Sequence, residues 1–269
     1  MNYWLKSKLI ILSKLLRYIK YRKGHQSGFC SVCGKQSFFL LDCDNKKESL
    51  RCIRCNAWMR LRYLSEQILK EYSTDGSKSL RELVNEKHFN SLNIYEAQAE
   101  GSLNTILKNC PNYVCSEYFE DVQPGESYKD KRCEDLQHLS FPDGAIDLII
   151  HTSVMEHVRK PLLAFKEQYR VLKPSGILLF EIPMTDLNKK DLREKSRMRL
   201  DTSTGEDKFV LEPVYHGDPL RKKGALVYTD WGLDIVGILE KIGFNVSLES
   251  HTIKSSSSMS HIVIIKCVK

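Results

Sequence analysis

The stretch "LSFPDGAIDLIIHTSVMEHVRKPLLAFKEQYRVLKPSGILLFEIP", residues 139–183, decides the fold of this chain. "FPDG" reads as a turn, and "AIDLIIHTS" as a strand buried on both faces, because its apolar run is continuous and not alternating. Residues 161–173, "PLLAFKEQYRVLK", have helical spacing. Pro161 stands at the first turn, where its missing N–H costs nothing, and Leu162, Phe165, Tyr169 and Leu172 fall on one face. "PSG" ends that helix and "ILLFEIP" is the next strand. Strand, helix and strand in this order are the unit from which a parallel sheet is built.

The same alternation runs outward in both directions. "LNIYEA" is a first strand and "SLNTILKN" a first helix; "YVCSEYF", 113–119, is a second strand ending near Glu117, and "KRCEDL" a short third. The turn between the first strand and its helix, "YEAQAEGSL", is where a nucleotide-binding α/β domain keeps a glycine-rich loop, yet Gly101 is the only glycine there. Glycines in such loops let backbone approach a ligand. Alanine adds one methyl, so Ala97 and Ala99 still permit approach wherever φ is negative.

Taken together, these motifs resemble the class I S-adenosylmethionine-dependent methyltransferases. The family often carries a Phe-Pro-Asp turn, a following Asp-Leu strand, a Glu-His-Val after it and a Leu-Lys-Pro-Gly turn. The likeness runs from about residue 91 to the C-terminus and is densest over 134–183; "KIGFNVSLES" and "SHIVIIKCVK" resemble the terminal hairpin whose last strand runs antiparallel. The resemblance implies an α/β, Rossmann-like methyltransferase sheet with S-adenosylmethionine as cofactor. It also implies roles for particular residues: Glu96, Ala97 and Gly101 in the first loop, Glu117 with Tyr118 at the ribose, and Asp135 with Leu136 at the adenine. His151 lies at the end of the fourth strand, on the cofactor side. Ala97 and Ala99 depart from the family's Gly-x-Gly-x-Gly pattern, while the acids Glu96, Glu117 and Asp135 remain, which favours a working cofactor site over a lost one.

Methyl transfer is an in-line displacement that needs acceptor, methyl and sulfur held in line, and a hydroxyl acceptor gains from a general base. Ligands in such sheets bind at the carboxyl ends of the strands. His151, Glu156 and His157 follow the fourth strand, and His157 is a candidate base, although a Glu-His pair there also commonly packs the next helix. The insertion at about 184–230 begins polar and basic, as a lid would, and later reads "LEPVYHGDPLRKKGALVYTDWG". Tyr215, His216, Asp218, Tyr228, Asp230 and Trp231 are expected over the pocket mouth. His216 with Asp218 beside it is the preferred catalytic pair; "HGDP" equally suits a turn that Asp218 caps. Aromatic faces beside carboxylates also suit a sugar.

Upstream, Cys30, Cys33, Cys52 and Cys55 form two Cys-x-x-Cys pairs around "SFFLLD", a predicted strand. Two such knuckles complete a tetrahedral S4 site for structural zinc, with no coordination position left open for catalysis. Cys43 is an alternative ligand or a small core residue. "AWMRLRYLSEQILKEY" has helical spacing, and its Arg60 and Arg62 suit either phosphate contact or a solvated face. "STDGSKS", 73–79, reads as a linker.

The charge is unevenly placed. Lys and Arg total 41 against 34 Asp and Glu, a net +7. Lys6, Lys8, Lys14, Arg17, Lys20, Arg22 and Lys23 carry that whole excess, so the remainder is balanced. Residues 1–24 predict an amphipathic helix with Leu5, Leu9, Leu12, Leu16 and Ile19 on one face, too interrupted by lysine to span a bilayer. It suits the surface of an anionic membrane, or docking on protein. The cysteine usage indicates a reducing, cytoplasmic setting, with peripheral contact at the inner membrane face. The expected organisation is a basic helix over 1–24, a zinc-ribbon module with its following helix over 25–72, and a methyltransferase domain over 80–269. The leading function is O-methylation of a sugar or other small hydroxylated acceptor in glycan biosynthesis. The alternatives are an RNA methyltransferase that grips RNA through the ribbon, disfavoured by the neutral body, and a non-catalytic zinc-ribbon adaptor.

Overall fold

The computed structural model describes residues 25–41, 50–184, 195–200, 206–218, 223–254 and 259–269. The helix expected over 1–24 and Cys43 lie outside the described residues. Among those described, no helix is long and apolar enough to cross a membrane. The chain divides into two compact units, one made of residues 1–91, 100–111 and 253–260, the other of 92–99, 112–252 and 261–269.

In the first unit, β1 (His25–Cys30) and β2 (Lys35–Leu40) form an antiparallel hairpin, and β3 (Arg51–Cys52) joins β2. The helix α1 (Met59–Tyr72) buries Leu61, Leu64 and Ile68. Short helices α2 (Leu80–Leu83) and α3 (Lys87–Asn90) follow. Ser79 caps α2 by accepting the Glu82 N–H at 3.3 Å. The expected linker is tied down by Glu86, whose carboxylate accepts the Thr74 N–H at 2.9 Å. Arg60 and Arg62 do not form an open solvated face. Arg60 is only 8% exposed, with its guanidinium 4.5 Å from the Trp58 ring, and that of Arg62 lies 3.7 Å from the Phe39 ring. Hydropathy could not foresee this, because stacking on an aromatic face shelters a guanidinium without removing its charge.

The second unit is organised by a sheet. From the centre outward its strands are β8 (Ile146–Thr152), β4 (Ile94–Glu96), β5 (Tyr113–Glu117), β7 (Lys131–Cys133) and β6 (Ser127–Tyr128) on one side. On the other are β9 (Leu172–Glu181), β17 (Met259–Val268) and β16 (Asn245–Lys254). β4 pairs parallel with β5 and β8, and β8 with β9. β17 runs antiparallel to β9, with Ile264 opposite Glu181 and Val268 opposite Ile177. The fold is therefore mixed α/β with a parallel-rich central sheet, consistent with a Rossmann-like methyltransferase. β8 has parallel neighbours on both edges and is buried almost throughout, hence its continuous apolar sequence.

Two expectations from the deciding stretch change. The helix α5 (Pro161–Val171) buries Ala164, Phe165, Gln168 and Val171, while Leu162 is 53% exposed. Its inward face is rotated because Gln168 is fully buried, meeting His151 at 3.0 Å. "PSG" does not separate helix from strand either: β9 begins at Leu172, opposite Ile146, and the register then jumps to Leu148 opposite Ile177. Residues 173–176 are looped out of the pairing, with Ser175 at a φ of 65°.

Between β9 and α6 (Ile235–Ile242), the described part of the insertion forms small antiparallel pairs. β10 (Lys195–Ser196) pairs with β15 (Thr229–Asp230), β11 (Met198–Leu200) with β12 (Asp207–Phe209), and β13 (Tyr215–His216) with β14 (Ala225–Leu226). Arg197 locks one of them, gripping Asp230 in fork geometry at 2.9 and 2.7 Å.

Candidate functional site

At the carboxyl end of β4, Glu96 is 3% exposed, and the Tyr113 hydroxyl donates to its Oε2 at 2.5 Å. Burial pushes its carboxyl up to about 8, opposed by the tyrosine hydrogen bond and reinforced by the nearby Glu117. The backbone then leaves the strand. Ala97 N–H donates to the Ile150 carbonyl at 3.0 Å, and Ala99 N–H to Glu117 Oε1 at 3.2 Å. The acid closing β5 thus holds the backbone that follows β4.

Neither Ala97 nor Ala99 is among the residues with positive φ, whereas Gly101 has φ 140° and ψ −176°. That region is essentially closed to side chains. The one glycine kept in the loop stands where the backbone requires one, and the two alanines stand where it does not. Gly101 opens α4 (Ser102–Leu107). These features fit S-adenosylmethionine, which has no pyrophosphate to wrap and needs acids at the ends of the strands.

The other residues assigned from the sequence have mixed positions. Asp135 accepts the backbone N–H of Gln137 at 2.8 Å and its side-chain amide at 3.0 Å, forming an Asx turn after β7. Leu136 is buried in the core cluster, and Tyr118 is exposed. His151 is 1% exposed, meets Gln168 and packs against Phe180 with ring centroids 4.9 Å apart. Burial lowers its pKa to about 4, so the ring is neutral in the core.

The turn after β8 brings another group together. Glu156 is 2% exposed, and its Oε1 lies 3.6 Å from His157 Nε2 and 3.7 Å from His216 Nδ1. The two imidazoles meet edge to face at 5.0 Å. His157 Nδ1 donates to the Leu226 carbonyl at 2.8 Å, and Tyr228 N–H to the Glu156 carbonyl at 2.8 Å. Sequence reasoning paired His216 with Asp218; Glu156 is a further carboxylate, one that approaches both histidines. The Glu156–His157 pair was legible as a candidate from the sequence; its approach to His216 was not, because β13 is distant in the chain. Trp231, expected at the pocket mouth, is fully buried against Phe165 at 5.8 Å. Tyr228 instead lines a cavity of about 420 Å³ together with Arg159, Lys160, Leu162, Lys166 and Met198.

In the first unit the four cysteines converge, with all sulfurs within 4.8 Å of one another. Cys30 and Cys55 sulfurs are 3.7 Å apart, and those of Cys33 and Cys52 3.9 Å. Sulfurs bound about 2.3 Å from one tetrahedral zinc would be about 3.8 Å apart. Both knuckles close alike: Gly34 N–H donates to Cys30 O at 2.9 Å and Asn56 N–H to Cys52 O at 2.8 Å, with φ 69° and 61°.

Comparison with known proteins follows the same lines. Residues 55–180 match the family model described as "Methyltransferase domain". Sterol 24-C-methyltransferase ERG6B of Gibberella zeae is 32% identical over 84 residues, covering 31% of this chain and 22% of that protein. The chain thus spans about a fifth of the length of this curated relative. Among solved structures, an S-adenosylmethionine-dependent methyltransferase from Methanosarcina mazei is similar at 14% identity and a TM-score of 0.43, covering 75% of this chain and 96% of that one. The 1,6-didemethyltoxoflavin-N1-methyltransferase of Burkholderia thailandensis is similar at 10% identity and a TM-score of 0.42, covering 78% and 87%. Over residues 55–180 the chain is therefore similar to a methyltransferase domain.

Proposed function

We propose that the protein transfers the methyl group of S-adenosylmethionine to a hydroxyl of a sugar, or of another small hydroxylated metabolite, in glycan biosynthesis. The observation that carries the choice of a hydroxyl is the cluster of Glu156, His157 and His216 after β8, at the same strand ends as Glu96 and Glu117. A hydroxyl must lose its proton as it attacks, and such a cluster is what its activation requires. The new oxygen–carbon bond forms as the methyl–sulfur bond breaks, and S-adenosylhomocysteine leaves with the electron pair. Glu117 holds the ribose and the 97–101 loop faces the methionine part. Tyr228 and the basic residues lining the cavity suit an acceptor that carries an anionic group, such as a phosphate-linked sugar.

In this reading Cys30, Cys33, Cys52 and Cys55 hold a structural zinc, supported by sulfur spacings that match a tetrahedral ion. The basic segment at residues 1–24 holds the enzyme near the inner membrane face. Calorimetric titration of zinc-replete protein with S-adenosylhomocysteine tests the core of the proposal. Micromolar binding is expected, weakened in Glu117→Ala by roughly 10- to 100-fold, the equivalent of charge-assisted hydrogen bonds lost. No binding to folded, zinc-loaded protein would sink the enzyme reading.

A further inference from the structure

Glu156 presents an electrostatic problem that the protein itself does not solve. Its carboxylate is buried, yet neither Oε1 nor Oε2 has a hydrogen-bond partner. A buried carboxylate left this way costs several kcal/mol. His157 Nε2 at 3.6 Å and His216 Nδ1 at 3.7 Å stand beyond hydrogen-bond reach. The orientation of His157 sharpens the point. A carbonyl can only accept, so the bond to Leu226 O puts the hydrogen of His157 on Nδ1. His157 Nε2 is then the ring nitrogen turned toward the Glu156 carboxylate.

We propose that Glu156, His157 and His216 bind a divalent transition-metal cation of the zinc type. One ion satisfies the bare carboxylate and the His157 lone pair at once. Ligand atoms each 2.0–2.2 Å from an ion at the tetrahedral angle stand roughly 3.3–3.6 Å apart, close to the separations found. Two imidazoles and one carboxylate make up a three-ligand donor set that leaves a coordination position open, and imidazole nitrogen selects against magnesium and calcium. The Leu226 carbonyl behind His157 is the outer partner that such a ligand ordinarily has, fixing its tautomer and the plane of its ring. The ligands come from two elements, the turn after β8 and β13, so ion binding also pins the insertion to the end of the sheet.

For catalysis the inference rests on the methyltransferase reading. An ion held by Glu156, His157 and His216 would polarise an acceptor hydroxyl at its open position and ease loss of the proton to water, while the methyl group passes to that oxygen and S-adenosylhomocysteine leaves with the electron pair. Metal binding itself needs none of this and is measured separately.

The experiment uses the full chain, with its zinc content measured as purified and after replacement by Co²⁺. Cobalt in the four-cysteine site gives intense near-ultraviolet thiolate charge transfer; cobalt on nitrogen and oxygen gives only weak visible bands. Wild-type protein is expected to take up a second equivalent with the weak bands alone. His216→Ala and Glu156→Gln should each weaken that equivalent by more than about 10-fold, since loss of even an outer partner costs roughly 10- to 100-fold. The thiolate band should persist in both and reports that the first unit is folded, and an unchanged denaturation midpoint reports the same of the second. His216 is 41% exposed, so its truncation leaves no cavity. A protein that takes up only the thiolate-bound ion, or a second equivalent that survives both substitutions, overturns the proposal. S-adenosylhomocysteine binding, titrated in parallel, fails only if the cofactor reading is wrong.

Discussion

Exchanging alanine and glycine in the loop after β4 tests whether the missing glycines matter. Gly101, at φ 140° and ψ −176°, occupies backbone space essentially reserved for glycine, and holding another residue there costs about 1–3 kcal/mol. Gly101→Ala should therefore lose about that much stability in urea denaturation. Ala97 and Ala99 have ordinary backbone and bond Ile150 O and Glu117 Oε1 through their N–H groups. Glycine makes the same bonds there, so Ala97→Gly and Ala99→Gly should alter stability only through the unfolded chain. The expected loss is about 0.4–1 kcal/mol each. S-adenosylhomocysteine affinity should change by less than about threefold, well short of the tenfold that 1.4 kcal/mol represents. Calorimetric titration and urea midpoints on the three variants give both quantities. If Ala97→Gly or Ala99→Gly tightened binding tenfold, the methyl groups would be obstructing the ligand and the loop would be degenerate after all. A Gly101→Ala protein as stable as wild type would refute the backbone argument directly.

Replacing Cys52 by serine should abolish zinc retention by the cysteine cluster and lower the thermal midpoint of the first unit, because a closed tetrahedral site needs all four thiolates, whose sulfurs lie within 4.8 Å of one another; metal analysis and calorimetry give the answer. Glu96 predicts a pH dependence. Its folded pKa of about 8 is raised above the usual 4.5, so native protein binds more protons than unfolded protein between those values. Its contribution is complete below about 4.5 and is lost as pH rises through about 8. Denaturation from pH 5 to 9 should show wild type losing more stability than Glu96→Gln, and parallel curves would contradict the assignment.

How much could be read in advance varied with the kind of interaction involved. β8 was legible because burial on both faces forces a continuous apolar run, and α5 because Pro161 and helical spacing mark its start. Its inward face was not legible: hydropathy chose Leu162 over Gln168. Gln168 is buried because His151 meets it from β8, a residue distant in sequence, while Leu162 lines a cavity. The four cysteines were identifiable as a set because Cys-x-x-Cys is a local geometry, and the two knuckles close through neighbouring backbone. The shelter of Arg60 and Arg62 was not legible, since charge alone says nothing about an aromatic ring brought alongside.

The sequence by itself therefore determined the order of strands and helices, the two cysteine knuckles and the glycine that the loop cannot replace. Each depends on near-neighbour sterics or on periodic burial. Only the tertiary structure brought Glu156 to His216, because β13 returns to the turn after β8. Pairing across that distance follows from how the chain packs, and no local pattern records it.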